Sequence, residues 1–197
     1  MTTVPTNTLI LAIVLIAFAV GAVVWLVSQK QKSTNLKRRF GPEYNRAVEE
    51  YGGRSKAEAE LSKREQRVAG LSIVPITAAE AARFSNAWSS LQGRFVDNPK
   101  GVVAEADLLV RELMVKRGYL MGDFELRAAD ISVDHPIVVK NYRAAQIIAL
   151  RDARGEADTE ELRKAVVHYR TLFDELLGVV PAKVASIAAA RGVPVRS

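Results

Sequence analysis

The chain has 197 residues, with 28 Lys and Arg against 22 Asp and Glu for a formal net charge of +6, and it has no cysteine. Without thiols it can form neither a disulfide nor a thiolate-ligated metal site, which agrees with a reducing compartment. The charge is uneven: 29–70 carries eleven basic and six acidic residues and 181–197 three basic and none acidic, whereas 71–180 carries fourteen basic and sixteen acidic. A body so close to neutral argues against nucleic acid as its partner, because that binding gathers Lys and Arg on a folded face.

Residues 1–7 form a short tail, and the stretch from Thr8 to Val27, TLILAIVLIAFAVGAVVWLV, contains no charge. About 20 apolar residues rising about 1.5 Å each span a hydrocarbon core of about 30 Å, so a transmembrane helix is predicted over 8–28. Thirteen of the twenty residues from Thr8 to Val27 are Leu, Ile, Val or Phe. Together they favour insertion by about 4 to 8 kcal/mol. A cleaved secretory signal would need a basic start and a shorter apolar stretch. Here MTTVPTNT carries no Lys or Arg, and the small-x-small pattern of Ala17 and Ala19 lies in mid-segment. An uncleaved anchor is therefore expected, with the lipid bilayer as its first partner. Ala17 and Gly21 make a small-xxx-small pair; Ala and Gly are common in spanning helices and read first as filler, with the close approach of a second copy in a homo-oligomer as the alternative.

Lys30, Lys32, Lys37, Arg38 and Arg39 follow the segment with no acidic residue among them, and Trp25 falls near the same interface. Basic residues accumulate on the cytoplasmic side, so the expected topology is N-terminus outside and the rest inside, in a cell inner (cytoplasmic) membrane. The same cations can meet anionic lipid headgroups at about 1 kcal/mol each.

Residues 29–70 read as a basic helical stalk. Phe40-Gly41-Pro42 breaks the chain, PEYNRAVEEY starts a short helix and Gly52-Gly53 ends it. Ser55 to Val68 is rich in Ala, Glu, Lys and Arg, which predicts a largely solvated helix with pairs such as Glu60 and Arg64. Lys30, Lys32, Lys37, Arg38, Arg39, Phe40, Tyr44 and Arg46 form a basic-aromatic cluster, the candidate surface for a partner or for lipid.

A helical domain is predicted over 71–180. Thr77 and Glu80 make a capping box for a helix to about Phe95, and Phe84, Trp88, Leu91 and Phe95 share its inner face. Asn98-Pro99 caps the next helix, which carries Val102, Ala106, Leu109 and Leu113 to about Arg117, and Gly118 stops it. FELRAAD is a short helical piece, after which Asp134-His135-Pro136 is expected to open a helix with Val138, Tyr142, Ala145 and Ile148 inward. Asp158 and Glu161 form a second capping box, followed by a stripe of Leu162, Val166, Tyr169, Phe173 and Leu176 up to Gly178. No stretch alternates with a period of two, so the predicted class is all-α: a transmembrane helix, a helical stalk and a small helical bundle. Residues 181–197, with Pro181 and Pro194, read as a flexible basic tail with one turn of helix over Ala182 to Ala190.

The catalytic inventory is thin. There are two histidines, His135 and His168, in no H-x-x-x-H or H-E-x-x-H spacing, and no phosphate-binding glycine loop or nucleophile elbow occurs. Asp134 and His135 are the one suggestive polar cluster. Asp134 is favourable at the positive end of a helix and His135, before a proline, at its start. No catalytic residue, cofactor or metal site is expected, nor a small-molecule substrate, and the chain reads as no enzyme.

The runs RRFGPEYNRAVEE, FVDNP, GDFELRAADISVDHP and VVHYRTLFDELL resemble an uncharacterised family of bacterial single-pass membrane proteins, often labelled hypothetical, membrane or secreted proteins; the similarity spans Leu36 to about Leu177. The resemblance implies a bacterial membrane-anchored protein and no activity. The expected function is a non-catalytic adaptor or scaffold holding a protein partner at the membrane. The alternatives are a membrane-tethered nucleic-acid or anionic-lipid binder through stalk and tail, and an envelope domain facing outward.

Overall fold

The computed structural model describes the backbone of residues 6–178 and the side chains from Leu15 onward. Eight α-helices and no strand occur among the described residues, so the chain is all-α. The tails expected over 1–7 and 181–197 lie outside the described side chains. The chain divides into two compact units between Glu58 and Ala59.

The first unit contains α1 (Thr6–Phe40), α2 (Pro42–Glu50) and the start of α3 (Arg54–Ala69). Gly41 separates α1 from α2 because its φ of 48° is one that side chains other than glycine's rarely adopt, and Pro42 then takes the first helical position. Leu36 and Phe40, one turn apart, are buried, as are Tyr44, Ala47 and Ala57. Tyr44 Oη donates to Glu58 Oε1 at 2.7 Å and accepts from Arg54 Nε at 2.9 Å, which pins α2 to the start of α3.

The second unit holds the rest of α3 with α4 (Ala78–Gly93), α5 (Pro99–Arg117), α6 (Phe124–Asp134), α7 (Val139–Ala153) and α8 (Thr159–Leu177). The capping signals work as their chemistry requires. Thr77 and Glu80 close a reciprocal box, Asn98 accepts from the Gly101 N–H at 3.0 Å, and Asp158 and Glu161 close a second box. Helix α8 packs against both α5 and α7, while α4 lies on α5 and α6 on α7. The expected stripe of Leu162, Val166, Tyr169, Phe173 and Leu176 is buried throughout. Trp88 meets Phe173 at a ring-centroid distance of 4.7 Å, and Tyr142 meets Tyr169 at 6.2 Å. Gly118 ends α5 at φ 94°, where an added Cβ would come within 2.3 Å of Ser72 O, so the link after α3 crosses directly over this glycine.

Helix α3 is not the solvated rod its composition suggests. Leu61, Arg64 and Val68 are buried, Glu60 stands 3.7 Å from Lys63, and Arg67 bonds to Asp130 of α6. The division between Glu58 and Ala59 falls within the 29–70 segment. Sparse large apolar residues were enough for burial because Leu61 and Val68 fall two turns apart on one helical face.

Candidate functional site

The basic cluster starts from helix geometry. A continuous α1 carries Lys30, Lys32, Lys37, Arg38 and Arg39 past the apolar run, and all five side chains are exposed. Phe40 is 0% exposed and Tyr44 4%, so these two candidates belong to the packed part of the first unit and offer no surface to lipid or partner. Arg46 is half-buried and held between Glu43 at 3.7 Å and Glu50 at 3.4 Å. Of these candidates the structure leaves the five cations of α1 exposed, spread around the helix rather than on one face, and without the aromatic rings.

Among the described residues no helix is long and apolar enough to cross a membrane. The span expected from Thr8 begins outside the described side chains. The part from Leu15 to Val27 rises only about 20 Å at 1.5 Å per residue. Its apolar side chains are exposed, Phe18 at 78% and Trp25 at 61%.

Asp134 and His135 do not open a helix. Helix α6 continues from FELRAAD through ISVD and ends at Asp134, with His135 as its C-terminal cap at φ −128° and its N–H on Ile131 O. Ile131 and Val133 extend the buried face, while Pro136 keeps the residue before it out of the helical region. Asp134 therefore sits at the negative end of a helix, opposite to the placement that the sequence suggested. Tyr119 Oη donates to Asp134 Oδ2 at 3.3 Å, and His135 Nδ1 stands 3.0 Å from Glu175 Oε1 of α8. Burial, and then the Asp134 charge, push the Tyr119 hydroxyl well above its ordinary range. The His135 hydrogen bond draws the Glu175 carboxyl below its usual value. The neighbouring candidates thus have separate partners.

The sequence reading missed the deepest charge in this region. Asp130 is 1% exposed and accepts from Arg67 Nε at 2.6 Å, with Arg67 Nη2 also 2.6 Å away. The available signal was an acid enclosed by Ala128, Ala129, Ile131 and Val133. Arg117 Nη1 donates to Leu176 O at 2.8 Å, tying the end of α5 to the end of α8. These contacts join α3, α5, α6 and α8 of the second unit through paired polar groups. Among the described residues no three His, Asp or Glu side chains converge to hold a metal ion.

Fold and sites together define an all-helical chain with an exposed basic helix in one unit and a polar-stitched helical bundle in the other. No family model, no curated protein and no solved structure matches the chain.

Proposed function

We propose that the chain is a single-pass protein of a bacterial inner membrane, N-terminus outside, whose cytoplasmic helices act as a non-catalytic adaptor or scaffold for a protein partner. The observation that carries this reading is α1, which runs unbroken from Thr6 to Phe40 and passes from exposed apolar side chains directly into five exposed cations. A helix apolar on every side is stable when it is enclosed by protein or by lipid. Cations at its end orient it by the positive-inside rule. Ala17 and Gly21 are exposed, and a Cβ added at Gly21 would meet nothing within 4 Å, which leaves room for a second copy alongside.

Alkaline extraction of membranes tests the anchor. The full chain is expected to stay with the lipid fraction. Val20→Lys, which costs about 2.5 to 3.5 kcal/mol near a helix centre, is expected to release a measurable share. A wild-type chain extracted entirely into the soluble fraction would refute the anchor. The non-catalytic part fails if the purified chain turns over a metabolite and loses that activity in His135→Ala.

The exposure of Lys30, Lys32, Lys37, Arg38 and Arg39 supports a second reading, contact with anionic lipid headgroups, at about 1 kcal/mol each. On this reading, binding of the stalk peptide to anionic vesicles falls steeply with salt, and salt-insensitive or absent binding removes it.

A further inference from the structure

Within the first unit a cavity of about 440 Å³ opens between α1 and the start of α3, lined by Gln29, Lys30, Ser33, Thr34, Arg54 and Glu58. The chain turns from α2 into α3 at Gly52 and Gly53, whose φ of 66° and 154° suit glycine. Arg54 thereby joins α1 residues far from it in sequence. Its Nε donates to Tyr44 Oη at 2.9 Å and stands 3.4 Å from Glu58 Oε1, and that carboxylate also accepts from Tyr44 Oη at 2.7 Å. The two Nη nitrogens enter neither hydrogen bond. The guanidinium is held in place and still has donors to offer a ligand.

Charge and height along α1 together narrow that ligand. Lys30 and Arg54 stand against one carboxylate, Glu58, which leaves a single uncompensated positive charge in the wall. A phosphodiester carries one negative charge, and a guanidinium fork fits two of its oxygens. Thr34 Oγ1 donates to Lys30 O at 2.9 Å and keeps its lone pairs to accept from a hydroxyl, and Gln29 and Ser33 add polar groups beside it. Gln29 to Thr34 lie about 3 to 10 Å past Val27 at 1.5 Å per residue, and the headgroup layer of a bilayer is about 5 to 7 Å deep. A second depression on α1, lined by Val27, Lys30, Gln31, Thr34 and Asn35, shares Lys30 and Thr34 with the first. It leads back to the apolar run.

We infer that this cavity binds the headgroup of one anionic phospholipid of the phosphatidylglycerol kind. Arg54 and Lys30 hold the phosphate, Gln29, Ser33 and Thr34 meet the headgroup hydroxyls, and the acyl chains run past Val27 along α1. Glu58 is engaged by Arg54 and Tyr44, so its charge does not face the phosphate uncompensated. This inference deepens the reading of lipid contact by the α1 cations and rests on it. It differs in requiring Arg54, which belongs to another helix, and in leaving out Lys32, which lies about 200° around α1 from Lys30.

The test uses the full chain in a neutral detergent at constant concentration, with tyrosine labelled at ¹³Cζ, titrated with dihexanoyl phosphatidylglycerol and dihexanoyl phosphatidylcholine. The Tyr44 resonance, identified by its loss in Tyr44→Phe, reports on the Arg54 contact. Saturable movement with phosphatidylglycerol is expected, and phosphatidylcholine, which offers no hydroxyl and adds a cation, is expected to bind about fivefold more weakly or worse. Arg54→Gln is expected to weaken binding about tenfold, and Lys32→Gln, the same loss of charge outside the cavity, by less than about twofold. If Arg54→Gln does not fold, Lys30→Gln on exposed α1 is expected to weaken binding in the same direction. Equal losses in the cavity variant and in Lys32→Gln would mean that scattered charge attracts the lipid, and would overturn the site. Movement without saturation or equal binding of the two lipids would overturn it as well. Glycerophosphoglycerol, the same headgroup without chains, is expected to bind more weakly, and equal affinity would replace the lipid by a soluble phosphodiester. Alkaline extraction separates this result from the anchor. Saturable binding by a chain that alkali extracts would remove the anchor and keep the site, whereas a retained chain without saturable binding would remove the site alone.

Discussion

Asp130 places a carboxylate where water does not reach, and Arg67 is the group that makes this tolerable. Removing one member of a buried pair leaves the other charge stranded at a cost of about 3 to 5 kcal/mol. Arg67 is 30% exposed and can turn to solvent once alone, whereas Asp130 cannot. We therefore expect Arg67→Ala to cost about 3 kcal/mol in urea unfolding, and the double change Arg67→Met with Asp130→Leu to recover most of it. Equal stability of Arg67→Ala and wild type would show that the pair contributes nothing. His168 gives a pH-dependent counterpart. Burial draws it below the model-peptide value of 6.5 while its Nδ1 stands 3.1 Å from Asn141 Oδ1. A folded-state value below the unfolded one means that the unfolded chain binds the proton first. The stability gained from neutral His168 is complete above pH 6.5 and declines as pH falls through the window down to the folded-state value. The unfolding midpoint is expected to fall across that window, with a shallower fall in His168→Asn. An identical pH profile in the variant would remove His168 as the cause.

At the scale of the element, caps made the bundle readable. Asn98 and Asp158 each satisfy a first-turn N–H, at 3.0 Å to Gly101 and 2.7 Å to Glu161. Asn98→Ala and Asp158→Ala are each expected to lower stability by about 1 kcal/mol, additively because they cap different helices, as thermal unfolding of the single and double variants will report. A loss confined to one of them would mean that the other helix is held by packing alone. Such signals are local, which is why α4, α5 and α8 were legible with their inward stripes. The α6–α7 junction was not. The run Asp134-His135-Pro136 resembles a helix start, and only burial of Ile131 and Val133 shows that α6 runs on to Asp134. Tertiary burial likewise overrode composition in α3, where Leu61 and Arg64 are enclosed despite a strongly polar sequence. The candidate sites divided in the same way. The exposed cations of α1 could be read directly, but the fate of Phe40 and Tyr44 depended on packing, and the partners of Asp130 and His135 lie 63 and 40 residues away along the chain.

For the whole molecule, the decisive question is whether the proposed anchor holds and, if it does, which side of the membrane the second unit occupies. The proposed orientation rests on the flanking charges alone, the basic residues Lys30, Lys32, Lys37, Arg38 and Arg39 that follow the apolar run. An adaptor reading follows only if the helical bundle faces the cytoplasm, because an outward-facing bundle would meet a different set of partners. The chain has no cysteine, so a single introduced thiol reports its own position without competition. We would place one at Thr3 and, separately, one at the exposed Ser90 of α4, and label each with a membrane-impermeant maleimide in intact and in permeabilised cells. The expected result is that Thr3→Cys labels in intact cells and Ser90→Cys only after permeabilisation. Labelling of Ser90→Cys in intact cells would contradict the proposed topology and place the bundle outside the membrane.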